Sequence, residues 1–296
     1  MSINREELFL CLTEILKEFD RVCKKNNLQY YLFAGTLLGA IRHKGIIPWD
    51  DDIDVAMPRA DYNKLLELSA TEFGEKFFLQ TPATDKGYHK AFAKLRNSET
   101  TEIPYVDAAF DYNHGVFIDI FPLDEVPDDH RKFKKQLSKM KICVKLLHFA
   151  GRMDSGIGSL GLSKNKRVVY ALLWLPYKLG LFNSKKVFSK YNELCAESEG
   201  SGNKRIGTIA FSFESERFIY EKRDFDEIIR IPFESILAVA PKNYDAILRK
   251  SYGEYMKPVK QKSEHGDVIL DVKVSYKKYI AEHKAELLEL WKKHRI

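Results

Sequence analysis

Between Trp49 and Val55 the chain reads Trp-Asp-Asp-Asp-Ile-Asp-Val: three consecutive carboxylates, then a fourth two residues on, at the mouth of an apolar run. Like charges this close repel unless a cation or a basic ligand neutralises them, so the fold must bring a counter-charge to this point. In an extended strand, side chains two apart share a face. The spacing therefore predicts that Asp52 and Asp54 project together while Ile53 and Val55 face a core. Two carboxylates on one rigid edge make a hard-oxygen site suited to Mg²⁺ or Mn²⁺, which keep waters and accept substrate phosphates as further ligands. The pattern points to phosphate-transfer chemistry, with an acidic turn before a strand as the plain alternative for a bare Asp-x-Asp pair.

The surroundings favour the site. Tyr30-Tyr31-Leu32-Phe33-Ala34 reads as a buried strand, followed by Gly35-Thr36-Leu37-Leu38-Gly39-Ala40-Ile41-Arg42. Gly35 lets the backbone approach a ligand closely, and Thr36 is expected to begin a helix whose free N–H groups favour an anion. His43-Lys44-Gly45 and Pro48 then lead into the acids.

Elsewhere, Leu8, Leu12, Ile15, Leu16, Phe19 and Val22 recur at helical spacing and predict an amphipathic helix over residues 6–26. A second helix is expected over 57–73, and short strands over 77–80, 91–96 and 116–121. This alternation argues for an α+β architecture, a sheet core with flanking helices. Asp119 sits inside the apolar run Val116-Phe117-Ile118-Asp119-Ile120-Phe121, where an unpaired carboxylate would be expensive. It needs a buried salt bridge, or it acts as a third metal ligand or a general base. Asp124 reads as a capping or turn residue. Lys94 and Arg96 alternate with Ala93 and Leu95, placed to reach phosphate oxygens or simply solvated on an edge strand.

Length and composition bound the rest. At 296 residues and 45% hydrophobic content the chain forms one large domain or a core with an inserted subdomain. Cys11, Cys23, Cys143 and Cys195 are widely scattered without a Cys-x-x-Cys pair, so neither a zinc ribbon nor a disulfide framework is indicated, and a reducing cytosol fits best. The N-terminal residues lack the basic-then-apolar order of a signal peptide, and no stretch approaches about 18 uninterrupted apolar residues. The expected location is therefore cytoplasmic. The net charge of +6 hides an asymmetry: residues 131–190 carry fifteen Lys or Arg against one acid, Asp154, a balance of +14, while the remaining 33 bases and 41 acids give −8. That segment surrounds Val168-Val169-Tyr170-Ala171-Leu172-Leu173-Trp174-Leu175-Pro176-Tyr177, an apolar run too short to span a bilayer. It reads as a helical insertion resting on an anionic membrane surface, or as a core helix with a solvated basic face. Nucleic acid is not expected as a partner, because the aromatics are grouped rather than interleaved with the bases. The implied organisation is a catalytic core over 1–130, the basic insertion over 131–190, and a C-terminal part over 191–296 that completes the core and substrate site.

The stretch from Ala34 to Gly45 running into Ile47-Pro48-Trp49-Asp50-Asp51-Asp52-Ile53-Asp54-Val55 closely resembles the signature of the LicD family. These are bacterial phosphotransferases with a nucleotidyltransferase-like fold that move phosphocholine from CDP-choline onto cell-surface glycans. Lys94-Leu95-Arg96-Asn97, the Gly115 to Asp124 strand and Tyr252-Gly253-Glu254-Tyr255-Met256-Lys257-Pro258 follow in the family's order. The resemblance covers most of residues 28–125, returns around 236–266 and leaves out the basic middle segment. It implies a nucleotidyltransferase-like mixed sheet, with Asp52, Asp54 and Asp119 as metal-binding and catalytic carboxylates. Gly35-Thr36 would form the small turn beside the donor phosphates, and Arg42, Lys44, Asp51, Lys94 and Arg96 would lie on the substrate side. The family's tail commonly shows a double proline, a basic residue and paired histidines; here Val259 follows Pro258, Lys262 is present and His265 is followed by Gly266, leaving His265 to touch donor or acceptor. The expected cofactor is Mg²⁺ or Mn²⁺. The expected partners are a CDP-activated alcohol and a glycan or lipid-linked glycan acceptor, such as a teichoic acid precursor. Phosphoglycerol or phosphoribitol transfer is the alternative chemistry. Two rival readings are a glycosyltransferase using Asp-x-Asp, which would place about 100 residues of nucleotide-binding sheet before its motif, and a non-catalytic membrane-binding protein on a transferase scaffold.

Overall fold

The computed structural model describes residues 5–209, 216–259 and 266–294. Helix α1 (Arg5–Lys25) opens the fold, and its apolar stripe Leu12, Ile15, Leu16, Phe19 and Val22 is fully buried against the sheet. Each such side chain contributes roughly 1.5–3 kcal/mol on leaving water. The elements that follow are β1 (Tyr31–Leu32), α2 (Ala34–His43), β2 (Asp54–Pro58), α3 (Arg59–Glu72), β3 (Phe77–Gln80), β4 (Ala93–Asn97), β5 (Thr101–Pro104) and β6 (Val116–Val126).

The sheet runs in the order β1-β2-β6-β4-β3 and is mixed: β2 lies parallel to β6, and the other neighbours are antiparallel. Every residue of β6 is buried. Its first half is clamped between β2 and β4, while its last three residues turn to β7 (Arg205–Gly207), which pairs β8 (Ile219–Glu221). The C-terminal region thus supplies strands to the same sheet. It also contributes a hairpin, β9 (Ile228–Phe233) with β10 (Ile236–Pro241), and β11 (Val268–Asp271), which pairs β5.

Strand β6 runs five residues beyond the expected end because Pro122 does not stop it. The Asp119 N–H donates to Ile53 O on the β2 side, so the alternation points position 122 toward β4. Pairing with β4 has already ended at Ile120, and the missing N–H costs no ladder bond. Asp124 is consequently not a cap or turn residue. It is completely buried in β6 and forms a two-pronged ion pair with Arg59 at the start of α3, with Nε to Oδ1 at 2.5 Å and Nη2 to Oδ2 at 2.8 Å.

Helix α4 (His130–Asp154) is capped by Asp129, whose carboxylate accepts the N–H groups of Arg131 and Lys132. It packs on α6 (Ser184–Cys195) through Phe133, Met140, Leu147, Phe188 and Tyr191, whereas α5 (Lys164–Lys178) between them buries no residue. After α7 (Tyr244–Tyr252), helix α8 (Tyr276–His294) docks Leu287 and Trp291 against Tyr88, Phe110 and Tyr112. All four cysteines are free and buried, and no helix among the described residues is long and apolar enough to cross a membrane.

Candidate active site

The sheet register builds the site. Asp119 on β6 is the partner of Asp54 on β2 and, on its other side, of Lys94 on β4. Residues opposite one another across neighbouring strands project on one face, so an acid, an acid and a base form a single row over three strands. The Lys94 ammonium lies 2.6 Å from Asp119 Oδ1 and 3.2 Å from the centroid of the Phe117 ring. The contact with Asp119 is a buried ion pair, so the Lys94 ammonium is the counter-charge that strand β4 brings to this carboxylate. Burial lowers the Lys94 pKa, and Asp119 offsets part of that effect.

Strand β2 begins only at Asp54, so Asp50, Asp51 and Asp52 lie in the loop before it. The three are half-buried, and they can bring one carboxylate oxygen each within 4.8 Å of one another. Asp52 precedes the strand, yet Ile53 between it and Asp54 is buried, both acids are half-buried, and Asp52 is the foremost charge acting on Asp54. Desolvation raises the Asp54 pKa well above the ordinary carboxylate range, with the Asp52, Asp119 and Asp50 charges adding and Lys94 opposing. Five carboxylates thus gather around the point where the Lys94 ammonium meets Asp119. With only hard oxygen donors in the cluster, it could hold a divalent cation.

Helix α2 is fastened to this cluster. The Asp54 N–H donates to Thr36 Oγ1 at 2.8 Å, and the Phe33 N–H donates to the Asp54 carbonyl at 3.0 Å. Thr36 thus sits inside the first turn, with Phe33 at the N-cap, and its hydroxyl serves the acidic strand instead of the helix end. A Cβ on Gly35 would stand 3.0 Å from Asp50 Oδ2, so glycine lets the acidic loop close onto the positive end of the helix dipole.

Other residues expected at the site spread outward. Arg42 donates from Nη1 to the Tyr255 carbonyl at 2.9 Å and lies over the Trp49 ring, tying α2 to the segment after α7. Lys44 closes α2 in a left-handed conformation (φ 60°) with an exposed side chain, and its carbonyl accepts the Glu234 N–H. Arg96 shares the Lys94 face of β4 but is buried deeper, with Nε donating to Gln80 Oε1 and Nη1 to Gly115 O. Its guanidinium is thereby engaged within the sheet and is not brought to the carboxylates. His265 lies outside the described residues.

Three residues join the site without having been assigned to it. Asp50 belongs to the carboxylate loop. Tyr252, at the end of α7, has its phenol pKa pushed up by burial, with Asp54 and Asp50 adding and Arg217 opposing. The Arg217 guanidinium is 4.5 Å from the centre of the Tyr252 ring and donates from Nε to Ser251 O at 2.7 Å. Asp50 and Tyr252 stood within recognisable motifs; Arg217 had no local pattern around it and is delivered by the chain's return.

A profile of the LicD/FKTN/FKRP nucleotidyltransferase domain matches residues 27–151. The chain carries a LicD-family domain. The LicD match runs past the motif-bearing strands and through most of α4, so the first part of the basic segment belongs to it. Lipopolysaccharide cholinephosphotransferase LicD of Haemophilus influenzae is 36% identical over 149 residues, 46% of this chain and 54% of that protein. Ribitol 5-phosphate transferase FKRP of Homo sapiens is 30% identical over 97 residues, 31% of this chain and 20% of that protein. Mannosyltransferase regulator 4 of Saccharomyces cerevisiae is 29% identical over 123 residues, 40% of this chain and 10% of that protein. The chain thus spans about half the length of the Haemophilus protein and a fifth or less of the other two. Phosphotransferases recur among these LicD relatives.

Proposed function

We propose that this chain is a divalent-metal-dependent transferase that moves a phospho-alcohol group, phosphocholine foremost, from a CDP-activated donor to a sugar hydroxyl. The acceptor would be a cell-surface glycan or teichoic acid precursor, met at the cytoplasmic face of the membrane. The observation that carries this reading is the Asp54–Asp119–Lys94 row, with the Asp50 to Asp52 loop and the α2 N-terminus beside it, inside a LicD domain of the nucleotidyltransferase kind.

Asp52 and Asp54, with Asp50 and Asp51 beside them, would hold Mg²⁺ or Mn²⁺. When bound, the ion offsets charge on the diphosphate and on the departing CMP. Gly35 and Thr36 would keep the donor phosphates close to the helix end, and Lys94 would supply a fixed positive charge there. Asp119 joins the ligand set or takes the acceptor's hydroxyl proton as the hydroxyl oxygen bonds to the phosphorus carrying the alcohol and the bridge to CMP breaks. The acceptor side would be completed by Tyr252 and Arg217.

Phosphoribitol is the second reading, favoured by the similarity to the human ribitol 5-phosphate transferase. Incubation of the full chain with Mg²⁺, an acceptor glycan and CDP-choline, CDP-ribitol or CDP-glycerol in turn, followed by CMP release, separates these readings. CMP from CDP-choline supports the first. CMP from none, in Mg²⁺ or Mn²⁺, favours a non-catalytic protein on a transferase scaffold.

A further inference from the structure

Helix α5 is turned inside out. It touches the body of the protein by one side, where Tyr170 and Tyr177 pack on Phe149 and the Tyr177 hydroxyl donates to Asp154 Oδ1 at 2.5 Å. The opposite side is apolar and faces solvent. Val168, Leu172, Leu175 and Leu179, spaced i, i+4, i+7 and i+11, form one row with exposures of 62%, 71%, 56% and 67%, and Leu181 just beyond is 69% exposed. A surface helix of a soluble protein ordinarily turns its apolar row inward and its charges outward. Here an apolar row on the order of several hundred Å² is presented to solvent, at the upper end of what a monomer exposes without a partner.

The row has a charged border of one sign. Lys164, Arg167, Trp174 and Lys178, spaced i, i+3, i+10 and i+14, run along its edge, so two bases precede and one follows a half-exposed indole. From Ser155 to Asn192 the chain holds seven Lys or Arg and no Asp or Glu. Fifteen residues of helix are too short to span a bilayer, and such an element lies in the plane of the interface instead.

We infer that α5 is a membrane-docking helix whose leucine row enters the acyl boundary of an anionic phospholipid surface while its lysines engage the headgroups. Charge decides among the occupants. A second copy packed on this helix would set its four bases, Lys164, Lys166, Arg167 and Lys178, against the same four with no acid on the helix to answer them, and an apolar groove on a neutral protein would leave the cations unanswered. An anionic bilayer satisfies the apolar row and the cationic border together. This stands apart from the chemistry of the carboxylate cluster and holds whichever group is transferred.

The full chain is to be sedimented with vesicles of phosphatidylcholine alone and of phosphatidylcholine mixed with phosphatidylglycerol, with oligomeric state followed in parallel by analytical ultracentrifugation. Partitioning should be at least about tenfold stronger to the anionic vesicles and should fall as salt screens the headgroups. The double variant Leu172→Ser/Leu175→Ser, both at exposed positions, should lose that partitioning with an unchanged melting temperature. The variant Lys164→Gln/Lys178→Gln should weaken binding to anionic vesicles alone. Equal binding to both vesicle types, binding to neither, or undiminished binding by the leucine variant overturns the inference. So does a dimer that the leucine variant abolishes, since the row would then join two copies.

Discussion

Asp54 and Asp119 stand opposite one another on the parallel strands β2 and β6, although 65 positions separate them in the chain. Parallel strands need a crossover between them, so these two acids meet only after α3 and the β3, β4 and β5 strands have been laid down. Their juxtaposition is unfavourable without a cation, and it persists because both strands are fixed by the core beneath them.

Substituting Asp54→Asn removes one charge from this cluster while keeping the side chain's shape. The metal-free variant should melt at the same temperature as the parent or higher, because repulsion with Asp52, Asp119 and Asp50 is relieved. Its stabilisation by Mg²⁺ should shrink, and CMP release should fall by about 10²-fold or more, the scale of losing one group that stabilises developing charge. Melting curves with and without Mg²⁺, together with the CMP assay, read both effects. Near-normal turnover at saturating Mg²⁺ would remove Asp54 from the metal site.

The two other β6 acids should separate cleanly. Asp124→Asn leaves the Arg59 guanidinium buried without its counter-charge and should cost roughly 3–5 kcal/mol in urea unfolding. The folded fraction should retain its turnover. Asp119→Asn should do the reverse, with a smaller loss of stability and a turnover loss comparable to that of Asp54→Asn. Equal activity losses in the two variants would place Asp119 among the purely structural ion pairs.

Lys94 competes with any bound cation for the same carboxylates. Lys94→Met should therefore lower the melting temperature of the metal-free protein and enlarge the rise produced by Mg²⁺, because the ion then meets one more uncompensated charge. A Mg²⁺-induced shift no larger than in the parent would mean that the metal lies beyond the reach of Lys94.

A pH dependence follows from three histidines away from the site. Burial pushes the pKa of His89 down to about 3 and those of His114 and His148 down to about 4, so the folded protein keeps all three neutral. At neutral pH the close approach of His89 to Asp107 is thus no charge pair; the Lys90 ammonium, 3.3 Å from Asp107 Oδ2, provides one. As pH falls below the unfolded value near 6.5, the unfolded chain takes up protons that the folded chain refuses, and stability declines down to about pH 4. The cost by pH 5 is on the order of 1–2 kcal/mol per histidine. Asp107, whose pKa burial would raise but which Lys90 and other neighbours hold below the usual range, adds a second loss beneath about pH 4. Urea midpoints between pH 7.5 and 5 should show the decline, and His148→Phe should make it shallower. A flat profile would mean that these rings are protonated in the native state.

Much of the site was written locally. The acidic run, the Gly35-Thr36 turn and the amphipathic pattern of α1 declare themselves because charge repulsion, glycine's freedom and helical periodicity act between near neighbours. Helix α1 lies within one residue at each end of its expected range, and the strands over 77–80 and from 116 are where the apolar patterning put them.

Tertiary structure decided what those residues face. Sequence spacing put Asp52 beside Asp54, but it gave no sign that Asp50 and Asp51 join Asp52 in one carboxylate loop ahead of β2, or that Asp119 stands opposite Asp54 on β6. Arg96 looked like a phosphate ligand two places from Lys94, until β3 and β6 closed on either side and bound its guanidinium to Gln80 and Gly115. Asp124 looked like a turn residue after Pro122, until Arg59 met it from α3. In each case the side chain's chemistry was fixed by its type and its partner by a strand or helix distant in the chain. No local rule could supply that partner, because a buried charge takes whatever counter-charge the folded sheet brings to it.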